Sequence, residues 1–315
     1  MVFFICALCG VRYGSFGMDT KTFFGALVGK DGLETQTVIL YSVRLPRVLA
    51  GALAGIGLSV SGMLLQSVTD NGLAGPNIIG VNAGAGLAVI LLLAFFPMAA
   101  EFLPWAAALG AFAATAVILG VSGSLGASKS SLILAGVALT ALLNAAIHAI
   151  SLVFDGVLSS YNAFSVGGLS GVSIKRLALP AVLILLGLLA ALLLSRRVAL
   201  LCLGECSAAA LGVNVRVLRM VCMVIASVLA GASVSFAGLV GFVGLVVPHM
   251  ARKLIGGALV LQTVACALIG GTLVMLGDLL GRVLAAPSEI PVGITMSLLG
   301  APFFLFLLWK KRYDV

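Results

Sequence analysis

Charged side chains are scarce in this chain of 315 residues. Lysine, arginine, aspartate and glutamate together make up 9% of it, whereas hydrophobic residues make up 62%. A soluble domain carries about 25% charged residues, so the composition excludes a water-soluble protein. The hydrophobic residues form continuous runs and do not alternate with polar ones, which excludes a transmembrane β-barrel. The sequence therefore predicts an all-α, polytopic helical membrane protein.

Motifs for catalysis and metal binding are also lacking. Cys6 and Cys9 form a Cys-x-x-Cys pair, but no second pair or histidine cluster completes a metal site. The stretch GALVGKDG (25–32) resembles a phosphate-binding loop, yet Phe24 stands where its first glycine belongs and Asp31 replaces its hydroxyl residue. We therefore expect neither enzymatic activity nor a cofactor in this chain. The net charge of +8 fits the basic cytoplasmic loops of a membrane protein, and no nucleic-acid binding is expected.

Apolar runs long enough to cross a bilayer recur along the whole chain. A crossing needs about 20 mostly apolar residues, and the first run is short of that. We expect one domain over 1–315 with about ten transmembrane helices, the first of them short or truncated. The runs are 1–11, 46–68, 78–98, 103–122, 131–154, 177–195, 217–236, 238–255, 258–280 and 291–309. The two longest polar connections are 12–45 and 155–176.

Basic residues indicate the orientation. Four crossings separate the connection after residue 195 from the C-terminus, so both lie on one side, and the positive-inside rule makes that side cytoplasmic. We expect a multi-pass protein of the inner cell membrane with a cytoplasmic C-terminus. Arg44, Arg47, Lys175 and Arg176 fall outside, against the rule. The basic residues on the inner side are Arg196, Arg197, Arg216, Arg219, Arg252, Lys253, Lys310, Lys311 and Arg312.

Two stretches indicate an internal repeat. LAGIGLSVSG (53–62) recurs as LAGASVSFAG (229–238), with Leu, Ala, Gly, Ser and Gly at matching positions. Five crossings separate the copies, so the second runs through the membrane in the opposite sense. Inverted repeats of this kind build the central pathway of many transporters; chance similarity among small residues is the alternative.

Ionisable residues inside the apolar runs are few, although burying them in lipid is costly and usually functional. Asp278 and Arg282 are four residues apart on one helix, a spacing at which they can pair; such pairing is the alternative to a functional role for Arg282. His148 lies within the fifth run, where a neutral, hydrogen-bonded residue and a proton relay are the two alternatives. The absence of a carboxylate at mid-membrane disfavours an ion-coupled carrier.

The connection at 201–213, LCLGECSAAALGV, differs from the apolar runs on either side. Glu205 to Leu211 can form two turns of helix, with Glu205 near the positive end of the helix dipole. Gly212 is a suitable C-cap, and Asn214 can begin the next helix. A short helix of alanines presents a smooth surface that a groove on another protein can accept. Two further polar breaks, TDNGLAGPN (69–77) and SKSS (128–131), are either plain turns or gates.

Seven stretches together resemble the permease subunits of ABC importers for iron chelates, haem and cobalamin. They are RLPR (44–47), SGMLLQSVTDNGLAGPNIIGVNAGAG (61–86), LILAGVAL (132–139), LGECSAAALGV (203–213), GLVGFVGLVVPHMAR (238–252), DLLGR (278–282) and EIPVGITMSLLGAPFF (289–304). The resemblance implies a homodimer or close heterodimer of permeases. It also implies two ATPase subunits that hold ATP and Mg²⁺, and an extracytoplasmic substrate-binding protein.

The resemblance also implies roles for individual residues. It makes 201–213 the segment that couples to the ATPase, and it places docking of the binding protein and two cytoplasmic gates elsewhere. Lys129 departs from the small hydroxyl residue usual in the family, and Gly72 departs from its frequent proline. The coupling residues are Glu205, Ala208, Ala209, Leu211 and Gly212; the docking residues are Arg44, Arg47 and Arg282; the gate residues are Asn71 and Leu73, then Lys129 and Ser130.

The expected function is import of an iron–siderophore or haem by alternating access. Cobalamin is the near alternative as substrate, and an ion-coupled secondary transporter that uses His148 or Asp278 is the alternative from another class.

Overall fold

The protein is described by a computed structural model that covers residues 1–14, 19–28, 32–77, 80–124, 129–154 and 156–311. Within these ranges the regular structure is helical, without strands, which confirms the predicted fold class. A π-helical turn, Ile39–Arg44, joins α3 to α4, and a 3-10 turn, Pro97–Phe102, precedes α6. The helices are α1 (Val2–Arg12), α2 (Thr20–Val28), α3 (Glu34–Val38), α4 (Leu45–Thr69), α5 (Val81–Phe95), α6 (Leu103–Ser124), α7 (Lys129–Val153), α8 (Val157–Val166), α9 (Ile174–Leu201), α10 (Glu205–Ala210), α11 (Val215–Ala237), α12 (Val243–Ile255), α13 (Leu259–Leu284) and α14 (Val292–Lys311).

Each of the ten predicted apolar runs contains a helix. Among the described residues, six helical segments are long and apolar enough to cross a membrane, and three shorter apolar helices add to them. The six are Glu34–Thr69, Pro97–Val121, Leu132–Val153, Ile174–Leu201, Val215–Ala237 and Leu259–Leu284; the shorter ones are Val2–Arg12, Val81–Phe95 and Val292–Phe306.

Two polar connections are more structured than the sequence predicted. Helical structure runs without a break from Glu34 to Thr69, so the helix that was expected to begin near 46 begins about three turns earlier. No glycine interrupts 34–45, and Pro46 lies just after the π-helical turn, where its missing N–H removes one backbone hydrogen bond without ending the helix. The connection 155–176 likewise contains α8. Apolar runs mark the part of a helix that lipid or protein covers; they do not mark where helices end.

Helix α4 lies at the centre of the bundle, and nearly all of its residues are buried. Its glycines allow neighbouring backbones to approach closely, which drives helix association in lipid. A Cβ atom on Gly55 would overlap the carbonyl group of Gly270 on α13, and one on Gly62 would overlap that of Gly244 on α12. The small residues of the first repeat copy are therefore packing positions.

The two repeat copies lie on adjacent helices. On α4, the Ser61 hydroxyl donates to the carbonyl of Ala226 on α11 at 2.6 Å, and Gly57 faces Ser233 one to two turns further along. Residues further along α4 contact residues earlier in α11, so the two helices are antiparallel. This is the relationship expected for copies that cross the membrane in opposite senses.

Candidate functional site

The segment 201–213 forms the short helix predicted for it. Helix α10 follows Gly204 and is closed by Gly212, and both glycines have positive φ angles (113° and 79°). The Val213 N–H donates to the Ala208 carbonyl at 3.0 Å and so satisfies one of the last carbonyls of the helix. Asn214 accepts from the Val217 N–H at 3.1 Å and caps α11. The expected N-cap is confirmed, whereas the C-cap of α10 is Leu211, and the predicted Gly212 follows it in the left-handed conformation that closes the helix.

The predicted coupling residues do not share one environment. Ala208 is fully buried against the rest of the chain, whereas Ala209, Leu211 and Gly212 are exposed. Leu203 was not among the predicted coupling residues; its side chain is 69% exposed, and that of Leu211 is 62% exposed. The signal in the sequence is a pair of leucines, Leu203 and Leu211, that flank the small and polar residues 204–210.

Glu205 contacts its own chain. Its Oε1 lies 2.7 Å from Nη2 of Arg219, which is 4% exposed on the second turn of α11. The Nε of Arg219 donates to the carbonyl of Val68 at 3.2 Å. Val68 belongs to the last turn of α4, where carbonyls lack partners within the helix. Arg219 was predicted only as one of several basic residues on this side.

The stretch 70–77 forms the predicted turn after α4. Asp70 adopts a left-handed conformation (φ 51°) and ends the helix. The Asn71 side-chain oxygen accepts from the Leu73 N–H at 2.9 Å, and its backbone carbonyl accepts from the Ala74 N–H at 3.0 Å. The Leu73 side chain is half exposed. Asn71 thus shapes the turn that presents Leu73.

A cavity of about 650 Å³ adjoins this turn. It is lined by Asn71, by the connection between α12 and α13 and by the end of α9. Its other polar lining residues include His249, Arg252 and Gln262. The structure therefore places one predicted gate residue in the wall of a cavity at the same end of the bundle as α10.

Lys129 and Ser130, the predicted second gate, begin α7. Their side chains lie outside the described residues, as does the whole of Ser128. The second gate stays a prediction.

The opposite end of the bundle carries a cluster of ion pairs. Asp278 on α13 lies between two arginines: Nη2 of Arg47 is 2.9 Å from its Oδ1, and Nε of Arg282 is 3.0 Å from its Oδ2. Glu289 adds a second carboxylate at 2.6 Å from Nη1 of Arg47, and it also accepts from the Ser170 hydroxyl at 3.1 Å. The pairing considered for Asp278 and Arg282 is observed, and Arg47 shares the same carboxylate.

Arg44 and Arg282 hold the C-terminal end of α1. Arg44 donates to the carbonyls of Val11 and Arg12 at 3.2 and 2.5 Å, and Arg282 donates to that of Tyr13 at 3.1 Å. Cations at this end of a helix favour its dipole. Arg44, Arg47 and Arg282 are only 4%, 6% and 3% exposed, so in the single chain the predicted docking arginines are also packing residues.

The charges of this cluster do not cancel. Among the described residues, Arg47 and Arg282 contact the carboxylates of Asp278 and Glu289, and Arg44 lies beside Arg282. These described side chains carry three positive and two negative charges, an excess of one positive charge. A cavity of about 640 Å³ opens beside Arg47 and Glu289. The cluster is therefore both a structural junction and a positively charged site next to a cavity.

Comparison with known proteins agrees with this geometry. The FecCD transport family matches residues 2–310. The chain is 38% identical to the achromobactin transport system permease protein CbrC of Dickeya dadantii, over 89% of this chain and 81% of that one. It is 33% identical to the hemin transport system permease protein HmuU of Yersinia pestis, over 98% and 93%.

A solved structure of a metal-chelate-type ABC transporter in an inward-facing conformation has the same fold. Its TM-score is 0.88 at 30% identity, and the match covers 98% of this chain and 96% of that one. With the family match over nearly the entire sequence, the chain belongs to the FecCD transport family.

Proposed function

We propose that this chain is the membrane permease subunit of an ABC importer that moves an iron chelate into the cytoplasm. The observation that carries the proposal is the FecCD match over residues 2–310 together with a short exposed helix at the position of the coupling segment. Relatives are named for achromobactin and hemin transport, which supports a siderophore or haem as substrate. Cobalamin remains the alternative.

ATP hydrolysis belongs to a partner in this proposal. Helix α10 docks in a groove of a cassette-type ATPase, which holds ATP and Mg²⁺, and this chain supplies no catalytic group. Leu203, Ala209 and Leu211 are the contact residues, because their side chains are exposed, whereas Ala208 packs inward. The α10 end of the bundle and the C-terminus then face the cytoplasm of the inner cell membrane.

The arginine cluster at the other end is the proposed docking site for a binding protein. Its net positive charge favours an acidic partner, and complementary charges steer such encounters. An incoming carboxylate would compete with Glu289, whose side chain is 30% exposed, for the guanidinium of Arg47. Arg44 and Arg282 would hold that guanidinium in place through the packing of α1 and α13.

A second permease copy completes the proposed assembly. Asn144 and His148 are exposed on α7 in the single chain. Polar side chains facing lipid are costly and usually face protein or a water-filled cavity, so this face of α7 is placed against the second copy or the pathway. Homodimer and heterodimer both satisfy this requirement.

The test is uptake by the complex in proteoliposomes with ATP inside or outside. Import of a ferric siderophore or haem that requires ATP on the α10 side, and that persists after ion gradients are collapsed, supports the proposal. Preference for cobalamin would change the substrate only. Uptake that follows an ion gradient without ATP would establish the secondary transporter instead, although Asp278 is already paired with two arginines.

A further inference from the structure

Arg219 connects two parts of the molecule that the proposed mechanism requires to move together. Its guanidinium group contacts Glu205 on α10 at 2.7 Å through Nη2, and the last turn of α4 at Val68 at 3.2 Å through Nε. The turn 70–77, with Asn71 and Leu73, begins two residues after Val68. One buried side chain therefore spans the distance from the coupling helix to the predicted gate.

Helix α10 depends on tertiary contacts for its position. It has six residues, and an isolated helix shorter than about 12 residues is marginal in water. Glycines flank it at both ends, and glycine leaves the backbone flexible. Its orientation is therefore set by tertiary contacts, chiefly the burial of Ala208 and the ion pair of Glu205 with Arg219.

The hydrogen bond from Arg219 to the Val68 carbonyl is favoured by its position at the end of α4. The Val68 carbonyl lies at the negative end of the α4 dipole, where a cation is favoured. Hydrogen bonds from a guanidinium group are charge-assisted and stronger than neutral ones. The planar fork of arginine directs separate N–H groups to the two partners, which a single ammonium group cannot do in the same geometry.

We propose that Arg219 is a positioning residue that transmits movement of α10 to the turn 70–77. The inference rests on the proposed function, in which an ATPase moves α10. When α10 is displaced, Glu205 pulls on the guanidinium of Arg219, and the bond to Val68 carries that displacement to the end of α4. Leu73 then moves with the turn that Asn71 shapes.

The test measures gate movement separately from ATP hydrolysis. The parent carries Cys202→Ser and Cys206→Ser, since both cysteines are exposed, with Leu73→Cys as reporter. It is purified with its ATPase in proteoliposomes, and the rate of maleimide labelling is compared without nucleotide and with ATP plus vanadate. Arg219→Met removes the contacts with Glu205 and Val68 and leaves an unbranched apolar side chain in place of the arginine. Arg196→Met is the matched control, because it removes an exposed arginine at the same end outside 201–213.

We expect labelling in the parent and in Arg196→Met to depend on nucleotide. In Arg219→Met the dependence is lost, and uptake per ATP hydrolysed falls by at least about tenfold, because the loss of even one of the two charge-assisted hydrogen bonds corresponds to about that factor. ATPase binding and hydrolysis persist, because the contact residues on α10 are unchanged. A purely structural role would reduce complex yield and hydrolysis together and leave the labelling response of the remaining complex unchanged.

One experimental outcome would contradict the role of Arg219, and a different one would contradict the proposed function. A nucleotide response in Arg219→Met equal to that of the parent overturns the role of Arg219. An unsubstituted protein that neither binds an ATPase nor transports with ATP overturns the proposed function itself. If Arg219→Met does not fold, Glu205→Gln provides the same test, since Glu205 is half exposed and glutamine keeps its size. A full labelling response in Glu205→Gln would then contradict the link.

Discussion

Arg47 on α4 and Asp278 on α13 form a buried ion pair, with 2.9 Å between Nη2 and Oδ1, although 231 positions separate them in the chain. The pair lies at the end of the bundle opposite α10, and Arg282 shares its carboxylate. A carboxylate between two guanidinium groups joins the second and ninth of the ten predicted runs. Four predictions follow from this junction, from the helix packing and from the coupling segment.

Asp278→Asn should destabilise the protein strongly. The substitution keeps the size of the side chain but leaves the charges of Arg47 and Arg282 facing each other without a shared anion, and breaking a buried pair costs about 3 kcal/mol or more. The loss of stability is measured by titrating the protein, solubilised in a mild detergent, with a denaturing detergent. Glu289→Gln is the control, because Glu289 is partly exposed; equal stability of the two variants would contradict a structural role for Asp278.

Gly55→Ala should lower the free energy of unfolding, because its Cβ would overlap the Gly270 carbonyl and push α4 away from α13. Overpacking of a tight core typically costs about 1–3 kcal/mol. Gly120→Ala is the matched control: no atom lies near the added methyl group, and alanine favours a helix over glycine by about 1 kcal/mol. Thermal unfolding in detergent compares them, and a Gly55→Ala variant as stable as the unsubstituted protein would refute the close packing.

Leu211→Glu should leave the protein folded but abolish co-purification of the ATPase. An exposed leucine at a docking surface is replaced by a charge that the partner's groove would have to desolvate. The control is Leu254→Glu, since Leu254 is equally exposed at the end of α12 but lies outside 201–213. Pull-down with a tagged permease measures both, and retention of the ATPase by the Leu211 variant would place the docking surface elsewhere.

Cys206 should report the orientation of the protein. It is exposed on α10, whereas Cys222 and Cys266 are buried. In a Cys202→Ser background, a membrane-impermeant maleimide should label inside-out vesicles and not right-side-out cells. Bound ATPase should protect the thiol, and Cys206→Ser should remove the signal. Labelling from the outside would reverse the proposed orientation.

Local features of the site were predictable because they depend on neighbouring residues. Gly212 ends α10 because the residue after the C-cap adopts a positive φ angle, and Asn214 caps α11 because its side chain reaches the Val217 N–H. The turn around Asn71 has the same origin. Helix ends were predicted less well: the polar residues of 34–45 remain helical, since polarity changes exposure without breaking backbone hydrogen bonds.

Contacts distant in sequence were not predictable from composition or spacing. Nothing in the sequence joins Arg219 to Val68 or Arg47 to Asp278, because such pairs form only after helices pack. The same applies to the division between buried Ala208 and exposed Ala209, which depends on how α10 lies against its neighbours.

The sequence by itself determined that the chain is a helical membrane protein, where its apolar runs lie, which short segment forms α10 and which family it belongs to. These properties follow from hydrophobicity, from local backbone preferences and from motifs in a fixed order. The tertiary structure alone decided that Arg47 and Arg282 are buried against Asp278 and that Glu205 pairs with Arg219. A charge in a low-dielectric interior needs a partner, and which residue that is depends on the packing of entire helices.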